Sequence, residues 1–251
     1  MIIARTRDDL NQTLQKFTQK PGKLALIPTM GNLHDGHLSL VRLAKLNAKK
    51  TITTIFVNPL QFGKNEDFEK YPRSEEMDIN KLSKEKCDIL FIPVNRNEVF
   101  PKFEEVKKIE SGELGNELCG KIRPGHFDGV LTVVNKIFDM IKPDIAIFGA
   151  KDYQQQILIS EMSKILHPYL TILKAPIIRS KNGVALSSRN NYLSQKEMNL
   201  ASNLFKCLEN SVKLYKDNVL LNEIIENAQK FLISKKLNDF SKHIKLSIVS
   251  L

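Results

Sequence analysis

The chain has 251 residues, 42% of them hydrophobic and 26% charged, an ordinary globular composition that suits one α/β domain or a large domain with a small one. Three cysteines, Cys87, Cys119 and Cys207, are odd in number and far apart; they fit neither a disulfide framework nor a CxxC zinc site, so a reducing cytoplasm is expected. The net charge of +10 suits a polyanionic ligand, but with no Trp and 7% aromatic residues a track for stacking nucleic acid is not expected, and the excess reads as solvated helix faces.

Along the chain, the opening MIIARTRDD is broken by charge too early for a signal peptide. Short apolar runs then recur at residues 24–28 (LALIP), 51–57 (TITTIFV), 88–93 (DILFIP), 144–149 (DIAIFG) and 170–174 (LTILK). Being near-continuous rather than alternating, they read as parallel strands covered on both faces. Helical patterns over residues 36–50, 74–86, 127–141 and 153–166 alternate with them. The fold class this predicts is α/β, an open, doubly wound parallel sheet of Rossmann-like type, with ligands beyond the carboxyl ends of the strands. The longest apolar stretch, residues 169–178, is interrupted by Lys174 and Pro176 and falls short of the ~18 residues of a membrane span. After Arg179 the texture changes to two Lys- and Asn-rich helices, residues 194–215 and 220–236, and a strand-like run at 244–251. We therefore expect a large domain over residues 1–180 and a small α+β domain over 181–251, hinged near 179–190.

Chemistry-bearing residues gather where predicted strands end. PTMGNLHDGH follows the first run and sets His34 and His37 one helical turn apart, with glycines at 31 and 36 to admit a ligand near the backbone. A helix N-terminus favours phosphate, and imidazole N–H groups there can donate to it as charge builds in a transition state. FVNPLQFG places Asn58 and Gln61 after the second run. Neutral amides hold an attacking carboxylate's neighbours without blunting its nucleophilicity, as an Arg clamp would. FGAKDYQQ offers Lys151 as a point charge for phosphate and Asp152 as a cap or ribose partner. Arg179 to Asn190 holds two hydroxyls and a cation in a short loop. Arg123 stands ahead of a helix, and His126 reads as a cap or packed residue. Gly115 to Lys121 mimics most of a P-loop, but Ile122 replaces the Mg²⁺-binding hydroxyl, and GxGxxG is absent.

The wording PTMGNLHDGH, FVNPLQF, YPR at 71–73, RPGHFDGVLTVVNKIF, FGAKDYQQQ and LSSRNNYLS, in this order, resembles the pantoate–β-alanine ligase family of the nucleotidylyltransferase superfamily, over residues 24–194. The resemblance implies an ATP-dependent condensation: pantoate and ATP give pantoyl adenylate and pyrophosphate, and β-alanine then gives the amide and AMP. It implies an ATP site made of Met30, Gly31, Asn32, Leu33, His34, Asp35, Gly36 and His37, with Gly149, Ala150, Lys151, Asp152, Ile178, Leu186, Ser187, Ser188 and Arg189. His34 and His37 are expected to stabilise the transition state, His37 as proton donor, while Lys151, Ser187 and Arg189 neutralise pyrophosphate. Gln61 and Gln155, with Asn58 and Arg123, are expected on the pantoate and β-alanine side. Mg²⁺ is expected to arrive with ATP. Met77 stands at a position often acidic, so no protein ligand of the ion is assigned, Asp78 included. Ala150 likewise replaces an acidic residue, with a modest effect expected. The resemblance further implies a homodimer without nucleic-acid or membrane partners, and a carboxy-terminal domain longer than the one ending at Leu251. The alternatives are a nucleotidylyltransferase that releases its nucleotidylated product and, suggested by charge alone, an RNA-binding module.

Overall fold

Six parallel strands form one sheet in the order β1-β4-β3-β2-β5-β6: β1 (Ile2–Ala4), β2 (Leu24–Thr29), β3 (Lys50–Ile55), β4 (Ile89–Phe91), β5 (Ile145–Gly149) and β6 (Thr171–Ala175). The computed structural model describes residues 1–18, 21–64 and 66–237. Its α-helices are α1 (Arg7–Thr18), α2 (Asp35–Asn47), α3 (Glu75–Lys84), one-turn α4 (Gly112–Gly115) and α5 (Cys119–Ile122), α6 (His126–Ile141), α7 (Tyr153–Leu166), α8 (Gln195–Lys216) and α9 (Leu221–Ser234).

The near-continuous apolar strands have a simple cause. Leu26, Ile52, Ile89, Phe91, Ala146 and Phe148 point to one face, where α1, α6 and α7 pack with Leu10, Phe138 and Ile159. Ala25, Ile27, Leu90, Ile145 and Ile147 point to the other, against Leu40, Val41 and Ala44 of α2 and Leu82 of α3. Alternate side chains thus enter two cores, and both need apolar residues. Burying one such Leu, Ile or Phe contributes about 1.5–3 kcal/mol.

Among the described residues the expected strands and helices have counterparts, with one correction and one addition. The helix expected over 36–50 ends at Asn47, and Lys50 opens β3; Ala48 is extended, and the N–H groups of Lys49 and Lys50 both donate to the Lys23 carbonyl. β1 and α1 were hidden in a charged opening: Ile2–Ala4 pairs with Ile89–Phe91, and Leu10 of α1 is fully buried. The strand-like run at 244–251 lies outside the described residues.

The sheet order reverses between β2 and β5, which pair through Ala25–Ile145 and Leu26–Ala146. That switch point sets the loops leaving β2 and β5 at the carboxyl ends of adjacent strands, where open α/β sheets bind ligands. The chain divides into two compact units, Met1–Pro176 and Ile177–Leu251. In the second, α8 starts from a capping box in which Ser194 and Glu197 satisfy each other's backbone N–H, and α8 and α9 meet around Leu204, with Leu200 and Leu232 against it.

Candidate active site

The loop after β2 is built around a buried carboxylate. Gly31 takes φ +86°, and a Cβ there would stand 3.0 Å from Ile55 and 3.2 Å from Asp78, so both conformation and crowding select glycine. Asp78 of α3, 1% exposed, accepts from the N–H of Asn32 through Oδ2 and of Leu33 through Oδ1, both at 2.8 Å. Lys81, one turn further on the same face of α3, donates to the Leu33 carbonyl. Held at these points, the chain turns at Asn32 (φ 50°) and delivers His34 as the extended cap of α2. Asp35 and Gly36 then open the helix; the Asp35 side chain turns out to Arg42, 2.8 Å away.

The two imidazoles lie against each other, centroids 4.1 Å apart. The His34 backbone N–H donates to His37 Nδ1 at 3.3 Å. With Nδ1 accepting, the neutral His37 ring carries its proton on Nε2 as a donor. Burial pushes His34 down to about 4, helped by the positive charges of Lys151 and Lys81; Asp152 and Asp35 oppose this. Burial, then the neighbouring His34, pushes His37 down to about 3. Both rings are therefore neutral near pH 7. A neutral His37 offers an N–H donor and is not a resting imidazolium acid. His34 Nδ1 is buried with no partner in the protein, an orphaned polar atom of the kind a ligand satisfies.

The segment after β5 joins this loop electrostatically, since Lys151 and Asp152 act on both histidines. Ala150–Asp152 forms one 3₁₀ turn with Lys151 Nζ 2.9 Å from Asp152 Oδ1. A Cβ at Gly149 would meet no protein atom within 4 Å, and φ −77° suits any residue. The protein alone does not demand glycine there, and the backbone is left open to a ligand.

The segment after β3 supplies the amides. Asn58, 1% exposed, donates to Gln61 Oε1 and to the Gly129 carbonyl and accepts from the Leu60 N–H. It stands behind Gln61 and orients it. Gln61 Nε2 donates to Met30 Sδ at 2.9 Å, which ties the amide segment to the first residue of the histidine loop. A thioether is a weak acceptor, so a carboxylate or hydroxyl oxygen displaces it with net gain. Gln155, in the first turn of α7, is partly exposed. Its neighbour Gln154 is buried and instead braces α4 and α5 through the carbonyls of Leu114 and Glu117 and the N–H of Cys119. Arg123 is engaged by Glu66 in a two-pronged ion pair.

Ile178 and residues 186–189 belong to the second unit. There the Leu186 N–H donates to the Ile178 carbonyl, Ser187 Oγ accepts from the Arg189 N–H at 3.3 Å, and Ser188 is buried. Among the described residues no group of three or more His, Cys, Asp or Glu side chains is arranged to hold a metal. The Asp78 oxygens are taken by backbone N–H groups.

The family model for pantoate–β-alanine ligase matches residues 2–249. The chain belongs to that family. Its relatives include a pantothenate synthetase of Thermoanaerobacter sp. (strain X514), 43% identical over 94% of this chain and 83% of the relative. Another, from Psychrobacter cryohalolentis, is 46% identical over 88% and 76%. Among solved structures, pantothenate synthetase from Thermus thermophilus superposes with a TM-score of 0.87 at 34% identity, covering 93% of this chain and 83% of that one. The Francisella tularensis ligase, solved with β,γ-ATP and β-alanine, gives 0.80 at 35% identity, over 92% and 86%. Asp78 and Lys81 were missed as organisers of the histidine loop. Their spacing on one helix face was readable in the sequence; their partners, some 45 residues away, were not.

Proposed function

We infer that this ligase condenses (R)-pantoate with β-alanine to give pantothenate, splitting ATP into AMP and pyrophosphate through a pantoyl adenylate. The contact between Gln61 and Met30 carries this reading, because it brings a neutral amide donor next to the loop of neutral histidines. In the first half-reaction, Gln61 and Gln155 hold the pantoate, and its carboxylate oxygen attacks the α-phosphorus as the bond to pyrophosphate breaks. The N–H donors of His34 and His37 and the charge of Lys151 meet the oxygens on which negative charge grows. Mg²⁺ bound with ATP supplies further neutralisation of the phosphates. In the second, the β-alanine amine attacks the acyl carbon, and AMP leaves with the electron pair of the broken carbon–oxygen bond. Ser187 and Arg189 belong to the proposal as partners of the departing phosphates. Three cysteines, odd in number and far apart in sequence, support a reducing cytoplasm, and no described helix is long and apolar enough to cross a membrane. A homodimer rests on the family resemblance. The test is pyrophosphate release from MgATP with pantoate, followed by AMP and amide after β-alanine is added. Pantoate-independent pyrophosphate, or a nucleotidylated product that β-alanine leaves intact, sends the reading to the other nucleotidylyltransferases.

A further inference from the structure

Arg123 carries a charge that the chemistry above does not use, and its surroundings give it another task. Its Nε and Nη2 each lie 2.6 Å from a Glu66 oxygen, with side chains 14% and 23% exposed. Its Nη1 lies 2.9 Å from His126 Nε2. A guanidinium only donates, so Nε2 must accept. A neutral imidazole accepting at Nε2 carries its proton on Nδ1, and His126 Nδ1 lies 2.8 Å from the Gln61 carbonyl oxygen, which only accepts. The donor and acceptor roles are thereby decided from Glu66 to Gln61.

The same face of α6 holds the peptide before Gln61. Gly129, one turn after His126, comes so near that a Cβ there would stand 2.1 Å from the Leu60 carbonyl oxygen, and its own carbonyl accepts from Asn58. We propose that Glu66, Arg123 and His126 form a hydrogen-bonded relay that sets the Gln61 backbone and so aims its side-chain amide at the acid substrate. Arg123 is then a positioning residue, and Glu66 closes off its charge so that no free guanidinium blunts the nucleophile. The proposal rests on the reading that Gln61 meets pantoate.

Steady-state kinetics of the full chain test it. Arg123→Leu should raise the pantoate KM about tenfold and leave the ATP KM within about twofold; in a Gln61→Ala background the same change should add less than about twofold, because both act through one amide. His126→Asn keeps a donor where Nδ1 stood and should stay within about threefold of wild type, whereas His126→Gln, which places its amide where Nε2 stood, should lose about tenfold. Should Arg123→Leu fail to fold, the two His126 variants carry the same discrimination. Multiplying effects of Arg123→Leu and Gln61→Ala, a rise in the β-alanine KM alone, or equal loss in both His126 variants overturns the relay while leaving the reaction standing. An unchanged pantoate KM in Gln61→Ala overturns the placement of pantoate, and the relay with it.

Discussion

After β2, the positive charges of Lys81 and Lys151 bear on two histidines that burial keeps neutral. After β3, the guanidinium of Arg123 is closed off by Glu66, and the groups beside Met30 are amides. The two segments leave neighbouring strands of one sheet, paired from Leu24–Lys50 to Thr29–Ile55, yet they solve opposite problems. In the proposed reaction one gathers a polyphosphate and meets charge that grows, and the other holds a carboxylate without lowering its energy, since stabilising the ground-state nucleophile raises the barrier. On that proposal, charge bears on the leaving-group side and is paired off on the nucleophile side.

Removing the donor on the charged side should break this contrast most severely. His37→Ala should lower kcat by about 3 kcal/mol of transition-state stabilisation, over a hundredfold, with little change in the ATP KM. Single-turnover formation of the adenylate is the readout, and an unchanged rate removes His37 from its role. Asp78→Asn replaces one acceptor oxygen by an NH₂ facing a backbone N–H in a buried site. It should cost about 2–3 kcal/mol of stability, seen in urea unfolding, and reduce kcat without moving the pantoate KM. Gln61→Glu sets a carboxylate against the acid substrate and should raise the pantoate KM about tenfold at constant ATP KM. An equal rise in the ATP KM would erase the division between the two segments.

The smallest expected effect lies in pH. Both histidines are held below the ordinary value of 6.5, so between about pH 6.5 and their folded values of about 4 and 3 the unfolded chain binds more protons than the folded one. Stability is full above that window and falls as the pH drops through it. A variant with glutamine in place of His37 should flatten the slope, and imidazole NMR should show wild-type His37 neutral, with its proton on Nε2, at pH 5. A charged ring at that pH contradicts the assignment of an N–H donor.

Much of the first unit was legible because its signals are local. Two-sided burial made the strands continuous, and LHDGH after the first run announced a strand-to-helix turn. What stayed hidden was long-range. Nothing local distinguishes Asp78 from any helix carboxylate, yet its two oxygens hold the histidine loop across the fold. Arg123 read as a cation ready for substrate because its partner Glu66 lies 57 positions away. Asn58 and Gln61 were read as equals, but burial and the Gly129 carbonyl put Asn58 behind Gln61. α1 was missed because charged residues filled its exposed face, leaving Leu10 and Leu14 as a thin apolar stripe.

In the proposed reaction a carboxylate held by neutral amides attacks the α-phosphorus of ATP. Turnover of pantoate labelled with ¹⁸O in its carboxylate tests it most directly. One labelled oxygen should appear in the AMP and none in the pyrophosphate; unlabelled AMP, or label in phosphate released from the γ-position, would contradict this course.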